Sequence, residues 1–287
     1  MTFIDVIILA LVQGLAELLP VSSSAHVVVA EKLLGLDPSS PPLTLLLVML
    51  HTGTMFAVIV YFWRQWRTAY FQSGAAFGHF ALAVITATAL TAVVGLGLVK
   101  LIEKTVLRGV PHAQIEDLFG HLEFIAPALA AAGLLILWAS LVTRRRPVQG
   151  SGGGDLGLKQ VCVIGLVQGL CLPFRGFSRS GATISAGMLL GVTKARAERF
   201  SFALAVVLTP PVVVREILRL VHAPGVDRAQ LQSVALLSVA GALLAFLAGL
   251  IALRWLSRWL ESGRWYLFGI YCLVASIAVE IMHANGW

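Results

Sequence analysis

The sequence predicts an all-α integral membrane protein: six transmembrane helices plus two re-entrant helical hairpins, the hairpins related as an inverted-topology repeat. Three observations predict it. The 287 residues are 58% hydrophobic and 12% charged, with a mean hydropathy of +0.89, a composition that cannot cover a water-soluble surface with polar groups. Six apolar runs reach or approach the roughly 20 residues that cross a hydrocarbon core about 30 Å thick. Two shorter apolar runs break at a proline and share the pentapeptide "LVQGL", at 11–15 and 166–170.

The chain opens with "FIDVIILALVQGLAELL", which stops at Pro20 in "PVSSSAH" and is followed by "VVVAEKLLGL". Helix, break and short return predict a re-entrant hairpin over about 3–36. No basic n-region precedes this first segment and no small-residue cleavage signal follows it, so it is expected to stay in the mature protein. Spans are predicted at 42–63, 79–99 and 124–142, and residues 143–157 read as a linker. A second hairpin over about 158–191 breaks at Pro173. Further spans follow at 200–221, 232–253 and 265–282. Pro210 and Pro211 interrupt the first of these, which predicts a kinked helix facing protein rather than lipid.

The chain thus reads as one membrane domain of two repeats, 1–142 and 158–287. The odd number of spans between the hairpins makes them enter from opposite faces, the pattern in which interrupted helices meet near the bilayer midplane.

Charge fits this layout. The loops near 64–78, 143–159, 190–199 and 254–264 carry 12 Lys and Arg against seven on the other side. By the positive-inside tendency the richer side is cytoplasmic and both termini are periplasmic. The net charge of +7 therefore points to membrane retention and anionic lipid, with no nucleic acid as partner. The linker stretch "RRRPVQGSGGGD" lacks the Gly-Lys-Ser/Thr that a phosphate-binding loop needs. Cys162, Cys171 and Cys272 are odd in number, lie in apolar runs and lack metal-ligand spacing, so they read as small buried residues.

The two breaks carry the chemistry. Gln13 and Glu17 are four residues apart, on one face of the first half-helix, with Ser22, Ser23, Ser24 and His26 following its end. A carboxylate at membrane depth is costly and marks a polar site it serves. Aligned on Gln13 and Gln168, the second break has Leu172 and Gly181 where the first has Glu17 and His26, and offers instead Arg175, Ser178, Arg179, Ser180 and Thr183. A guanidinium with hydroxyls and approachable backbone amides suits a phosphate. Carboxylate, serine and imidazole suit nucleophilic attack and proton transfer. Plainer readings stand beside these: an interfacial Glu17, a capping serine run, a packed His26, a snorkelling Arg179. His51, inside the first full span, reads equally as a helix-packing donor and is left out of the catalytic set.

The motifs "GLAELLPVSSSAH" and "GFSRSGATISAGMLLGV" closely resemble the two signature regions of the undecaprenyl-diphosphatase, or bacitracin-resistance, family of bacterial inner membranes. The resemblance extends over the whole chain, including "FWRQW" and "FSFALAVVLTP". It implies hydrolysis of the C55 lipid undecaprenyl diphosphate to undecaprenyl phosphate and inorganic phosphate, at an outward-facing site. Its catalytic positions fall on Glu17, Ser23, His26 and Arg179. Its substrate-binding positions fall on Gln13, Ser22, Ser178, Ser180 and Thr183, with Arg175 as an additional cation in "CLPFRG". Gln13 stands at the first acidic position, so that residue is not an obligatory base. The family is associated with a divalent cation, Mg2+ or Ca2+, for which Glu17 is the expected ligand. The nucleophile stays open among Ser23, His26 and water. A lipid-phosphate flippase without hydrolytic activity is the competing class, since broken inverted repeats are also a transporter architecture. A homo-oligomer is compatible with the sequence.

Overall fold

A computed structural model describes residues 1–37, 40–106, 118, 120–144, 156–222 and 228–287, with side chains described outside 221–233. Most of the expected 143–157 linker, with Arg145 and Arg146, lies outside the described residues. Among these the protein is all-helical: α1 Phe3–Leu18, α2 Ser23–Leu33, α3 Pro41–Tyr70, α4 Gly74–Thr105, α5 Leu122–Arg144, α6 Leu158–Cys171, α7 Arg179–Leu189, α8 Lys194–His222, α9 Arg228–Glu261 and α10 Tyr266–Ala284. Within them lie six segments long and apolar enough to cross a membrane, in α3, α4, α5, α8, α9 and α10. The chain is a multi-pass membrane protein. At 16, 11, 14 and 11 residues, α1, α2, α6 and α7 fall short of the roughly 20 that a crossing needs.

Local chemistry sets the short helices. Thr2 caps α1: its hydroxyl accepts from the Asp5 backbone N–H, and its own N–H donates to the Asp5 carboxylate. That backbone bond holds Asp5 below the usual carboxylate range. Leu19 is extended before Pro20, as a residue preceding proline prefers, and α1 stops there. Ser22, at φ 69°, is the one non-glycine residue with positive φ among those described. At the second break Gly176, at φ +101°, lies so close to α5 that a methyl group there would sit 2.5 Å from the Ile125 carbonyl oxygen. Ser178 then caps α7, accepting from the Gly181 N–H at 3.2 Å.

The chain forms two compact units. The first comprises Met1–Leu19, Ser23–Trp63 and Ala205–Leu256. Its core joins Val6, Leu9 and Ala10 of α1, Ala30 of α2, Leu43, Leu46 and Leu50 of α3 and Ala245 of α9. Here α1 packs on α2 and meets α9 through small residues, Gly14 lying against Ala245 and Ala248. Close backbone approach of this kind is how helices associate where lipid removes the hydrophobic drive.

The second unit comprises Pro20–Ser22, Arg64–Leu204 and Ser257–Trp287. In it α5 packs on α10 and α7, and α6 packs on α4 and α7. The α4–α6 seam has Gly165 against Ala87 and a polar lock: Gln168 Nε2 donates to Thr91 Oγ1 at 3.1 Å, and Thr91 reaches the Gly165 carbonyl at 3.0 Å. Each unit draws helices from both halves of the sequence.

The helices match the predicted spans but run past them; α3 carries on from the apolar run to Tyr70, through "FWRQW". α8 runs through Pro210 and Pro211 without ending. Both prolines are exposed, so they face outward instead of onto protein as expected. A proline lacks the N–H that would serve a carbonyl one turn back, and the outward face tolerates it because no described residue covers it.

Candidate active site

Glu17 is the hub of a polar cluster in the first unit. It is the penultimate residue of α1, and its side chain is 16% exposed. Its Oε2 accepts from Gln13 Nε2 at 3.1 Å, one helical turn back, and from the Ser23 hydroxyl at 2.5 Å. Gln13 itself is 1% exposed. The Ser23 contact depends on the break, because α1 ends at Leu18 and α2 starts at Ser23. The reversal at Leu19–Ser22 returns the first hydroxyl of α2 to the last carboxylate of α1. A donor bond to a carboxylate at this length is charge-assisted and among the stronger kinds.

His51, from α3, is the third neighbour. Its Nε2 lies 3.9 Å from Glu17 Oε2, and its Nδ1 is 2.9 Å from the Leu47 carbonyl oxygen. A carbonyl only accepts, so Nδ1 carries a proton and Nε2 is the nitrogen turned to Glu17. Sequence reasoning left this residue out. The signal available was a histidine inside an apolar span, which does not reveal which neighbour it faces.

His26 is half-buried on α2, three residues beyond Ser23 and so on the same face of that helix. Ser24 is half-buried and Ser22 is buried in the break. The backbone at Ser22 lies in a region that costs a non-glycine residue of order 1–3 kcal/mol, a form of strain that clusters at functional sites.

The second break belongs to the other unit. Arg179 is the first residue of α7, half-buried, between Ser178 and Ser180, both buried. The helix N-terminus there offers backbone N–H groups and a positive dipole end, both of which favour an anion. Arg175 is half-buried in the preceding loop, beside the exposed Phe174. Thr183 is fully buried. Its hydroxyl bonds the Arg179 carbonyl at 2.8 Å and lies 2.6 Å from the Ser201 hydroxyl, so it ties α7 to α8.

The donors near Glu17 are few for a metal ion. Among the described residues no group of three or more His, Cys, Asp or Glu is placed to hold an ion. Glu17 brings one carboxylate, and its Oε2 already serves Ser23 and Gln13. Such a donor suits Mg2+ only where phosphate oxygens and water complete the shell.

Fold and cluster define a class: a multi-pass membrane protein with a serine hydroxyl bonded to a carboxylate beside a helix break, and a second break carrying an arginine at a helix N-terminus. The chain belongs to the bacitracin resistance protein BacA family, whose model matches residues 6–278. It is 56% identical over 280 residues to undecaprenyl-diphosphatase 2 of Acinetobacter baylyi, covering 96% of each chain. It is 35% identical over 285 residues to the undecaprenyl-diphosphatase of Desulfosudis oleivorans, covering 93% of this chain and 94% of the relative. It is 33% identical over 290 residues to that of Gluconacetobacter diazotrophicus, covering 96% and 95%.

Proposed function

We infer that this protein is a membrane hydrolase that converts undecaprenyl diphosphate to undecaprenyl phosphate and inorganic phosphate. The family and its relatives' names support the reaction and the C55 substrate. The observation that carries the chemistry is the Ser23 hydroxyl donating to Glu17 at 2.5 Å. A hydroxyl is a weak nucleophile until an adjacent base takes its proton, and this pair supplies both.

In this reading Glu17 takes the Ser23 proton as Oγ attacks the terminal phosphorus. The Ser23 O–P bond forms, the bridging P–O bond breaks, and undecaprenyl phosphate leaves. Water, activated by His26 or by Glu17 once it has lost its proton, then cleaves the phosphoserine and releases inorganic phosphate. Gln13 holds Glu17 in place. Arg179, with Ser178, Ser180 and the amides heading α7, takes the diphosphate charge, because a planar guanidinium and oriented N–H groups stabilise the charge on transferring phosphoryl oxygens. Arg175 and Ser22 are further substrate contacts. A Mg2+ or Ca2+ bound with the substrate would neutralise diphosphate charge, with Glu17 as its protein ligand.

The finer architecture belongs to the same reading. The pairs α1–α2 and α6–α7 are re-entrant hairpins of an inverted repeat over 1–142 and 158–287, supported by the shared "LVQGL", the proline breaks and four helices too short to cross. The protein lies in the bacterial inner membrane with both termini periplasmic. A cysteine placed at Ser262 should then be labelled from the cytoplasm, and one at Thr2 from outside.

Phosphate release by the purified protein in detergent tests the function. Acid quenching during turnover of a substrate labelled at the terminal phosphate tests the nucleophile: label should be retained on wild type and lost in Ser23→Ala. Turnover without label retained in acid would move the attack off Ser23, and label retained only under an alkaline quench would assign it to His26, whose phosphoramidate is acid-labile, rather than to water. Lipid transfer between leaflets without phosphate release would favour the flippase class.

A further inference from the structure

Away from both breaks, the second unit contains a cavity of about 300 Å3 whose wall, among the described residues, carries Arg144, Lys194 and Arg264 and no carboxylate. The three cations come from separate stretches: the last residue of α5, the first of α8 and the turn between α9 and α10. Among the described residues none of the three makes an ion pair or a side-chain hydrogen bond. The Lys194 ammonium lies over the α9–α10 turn, since a methyl group at Gly263 would be 4.0 Å from its Nζ.

Two further features point the same way. Ser140 lines the cavity at 8% exposed, and its hydroxyl has no hydrogen-bond partner among the described residues. The hydroxyl oxygen is not one of the fully enclosed atoms left without a partner, so it is reached from outside and is a donor open to a ligand. In addition, α8 and α10 both start at this cavity. Neither has an acidic residue in its first turn, and each has a cation at its start, where the helix dipole is already positive. The usual charge preference of helix N-termini is reversed at both. Three like charges and two positive dipole ends around one cavity repel each other, and an anion offsets that cost.

We propose that this cavity binds a phosphate-bearing anion, with Arg144, Lys194 and Arg264 as its cations and the Ser140 hydroxyl as an additional donor. Its position favours the headgroup of an anionic phospholipid: the candidate spans of α5, α8 and α10 end or begin at its wall, which puts it at headgroup level. The exposed ring of Tyr266 lines it, as aromatic residues do at membrane interfaces. The same chemistry would accept inorganic phosphate from solution.

Native mass spectrometry of the detergent-purified full chain, titrated with phosphatidylglycerol, tests this. Wild type should retain one lipid. The double variant Lys194→Gln, Arg264→Gln should bind it about tenfold more weakly for each cation removed, as lost charged hydrogen bonds predict. Lys194→Arg should bind nearly as wild type does, which separates charge loss from misfolding. Millimolar inorganic phosphate that displaces the lipid, or raises the thermal midpoint of wild type but not of the double variant at matched ionic strength, would support the site and assign it to soluble phosphate. Equal lipid affinity in wild type and double variant, with no phosphate effect on either, would overturn the proposal.

Discussion

Replacing Glu17 by Gln isolates one function of the cluster, because size and hydrogen bonding are nearly kept. The amide oxygen of Gln can still accept from Ser23, across the distance now 2.5 Å, but it cannot take the proton. Loss of a positioned base costs about 10²- to 10⁴-fold in turnover, or about 2.7 to 5.4 kcal/mol at 1.36 per tenfold. KM should change only a few-fold, since the diphosphate is assigned to Arg179 and its neighbours. Glu17→Asp retracts the carboxylate by about one C–C bond, about 1.5 Å, which opens the contact to Ser23 and should give an intermediate loss. Residues acting as one unit are not additive, so Glu17→Gln with Ser23→Ala should be no slower than Ser23→Ala alone. Phosphate release from undecaprenyl diphosphate, at equal amounts of monodisperse detergent-purified protein, measures all four. Glu17→Gln turnover within threefold of wild type would refute the role of base, and a double variant slower by the product of the single losses would refute the coupling.

Four other outcomes are expected. His51→Ala should lower turnover by only about two- to fivefold, because a 3.9 Å pair whose histidine is 44% exposed is worth about 0.2–1 kcal/mol; a loss above a hundredfold would make His51 a proton carrier in its own right. Arg179→Lys should lower turnover about ten- to a hundredfold by losing the guanidinium fork, whereas Arg175→Lys should mainly raise KM; the reverse pattern would put the phosphate on the other arginine. Gly14→Ala places a methyl group 2.6 Å from Ala248 Cβ and 2.8 Å from the Ala245 carbonyl oxygen, and such overpacking should destabilise by about 1–3 kcal/mol, read as a lower thermal midpoint in detergent. Thr183→Val should lower that midpoint too, through the lost link to Ser201, with KM unchanged; a raised KM at an unchanged midpoint would return Thr183 to the substrate.

Apolar run length was the most legible feature, because crossing lipid is a requirement on composition. Run length reports apolar composition alone, so it does not mark where α3 and α4 end: both helices extend beyond the predicted spans, because backbone hydrogen bonds carry a helix on without apolar side chains. The pairing of Gln13 with Glu17 was legible because helical spacing alone sets it. What a helix turns toward was not. Pro210 and Pro211 face outward, Thr183 faces Ser201, and His51 reaches a residue 34 positions earlier only because α3 packs beside α1. The cation cavity is harder still: Arg144 ends α5, Lys194 starts α8 and Arg264 lies in the α9–α10 turn, and no local pattern encodes their convergence.

The shared pentapeptide makes the same point with one residue type. Gln13 and Gln168 hold equivalent places in "LVQGL", yet Gln13 donates to the Glu17 carboxylate and Gln168 to the Thr91 hydroxyl in the α4–α6 seam. The difference follows from position 172, where leucine replaces the carboxylate. Without an acceptor on its own helix, Gln168 has to find one on a neighbour, and it becomes a packing lock. With Glu17 one turn away, Gln13 bonds that carboxylate instead. The strain at Ser22 fits that division. A left-handed residue turns the chain within the four residues Leu19–Ser22, tightly enough to bring Ser23 back to Glu17. The second break spans seven residues, Leu172–Ser178, and its left-handed position is Gly176, where glycine adopts such a φ at no steric cost. Strain is kept only at the break that returns a hydroxyl to a carboxylate.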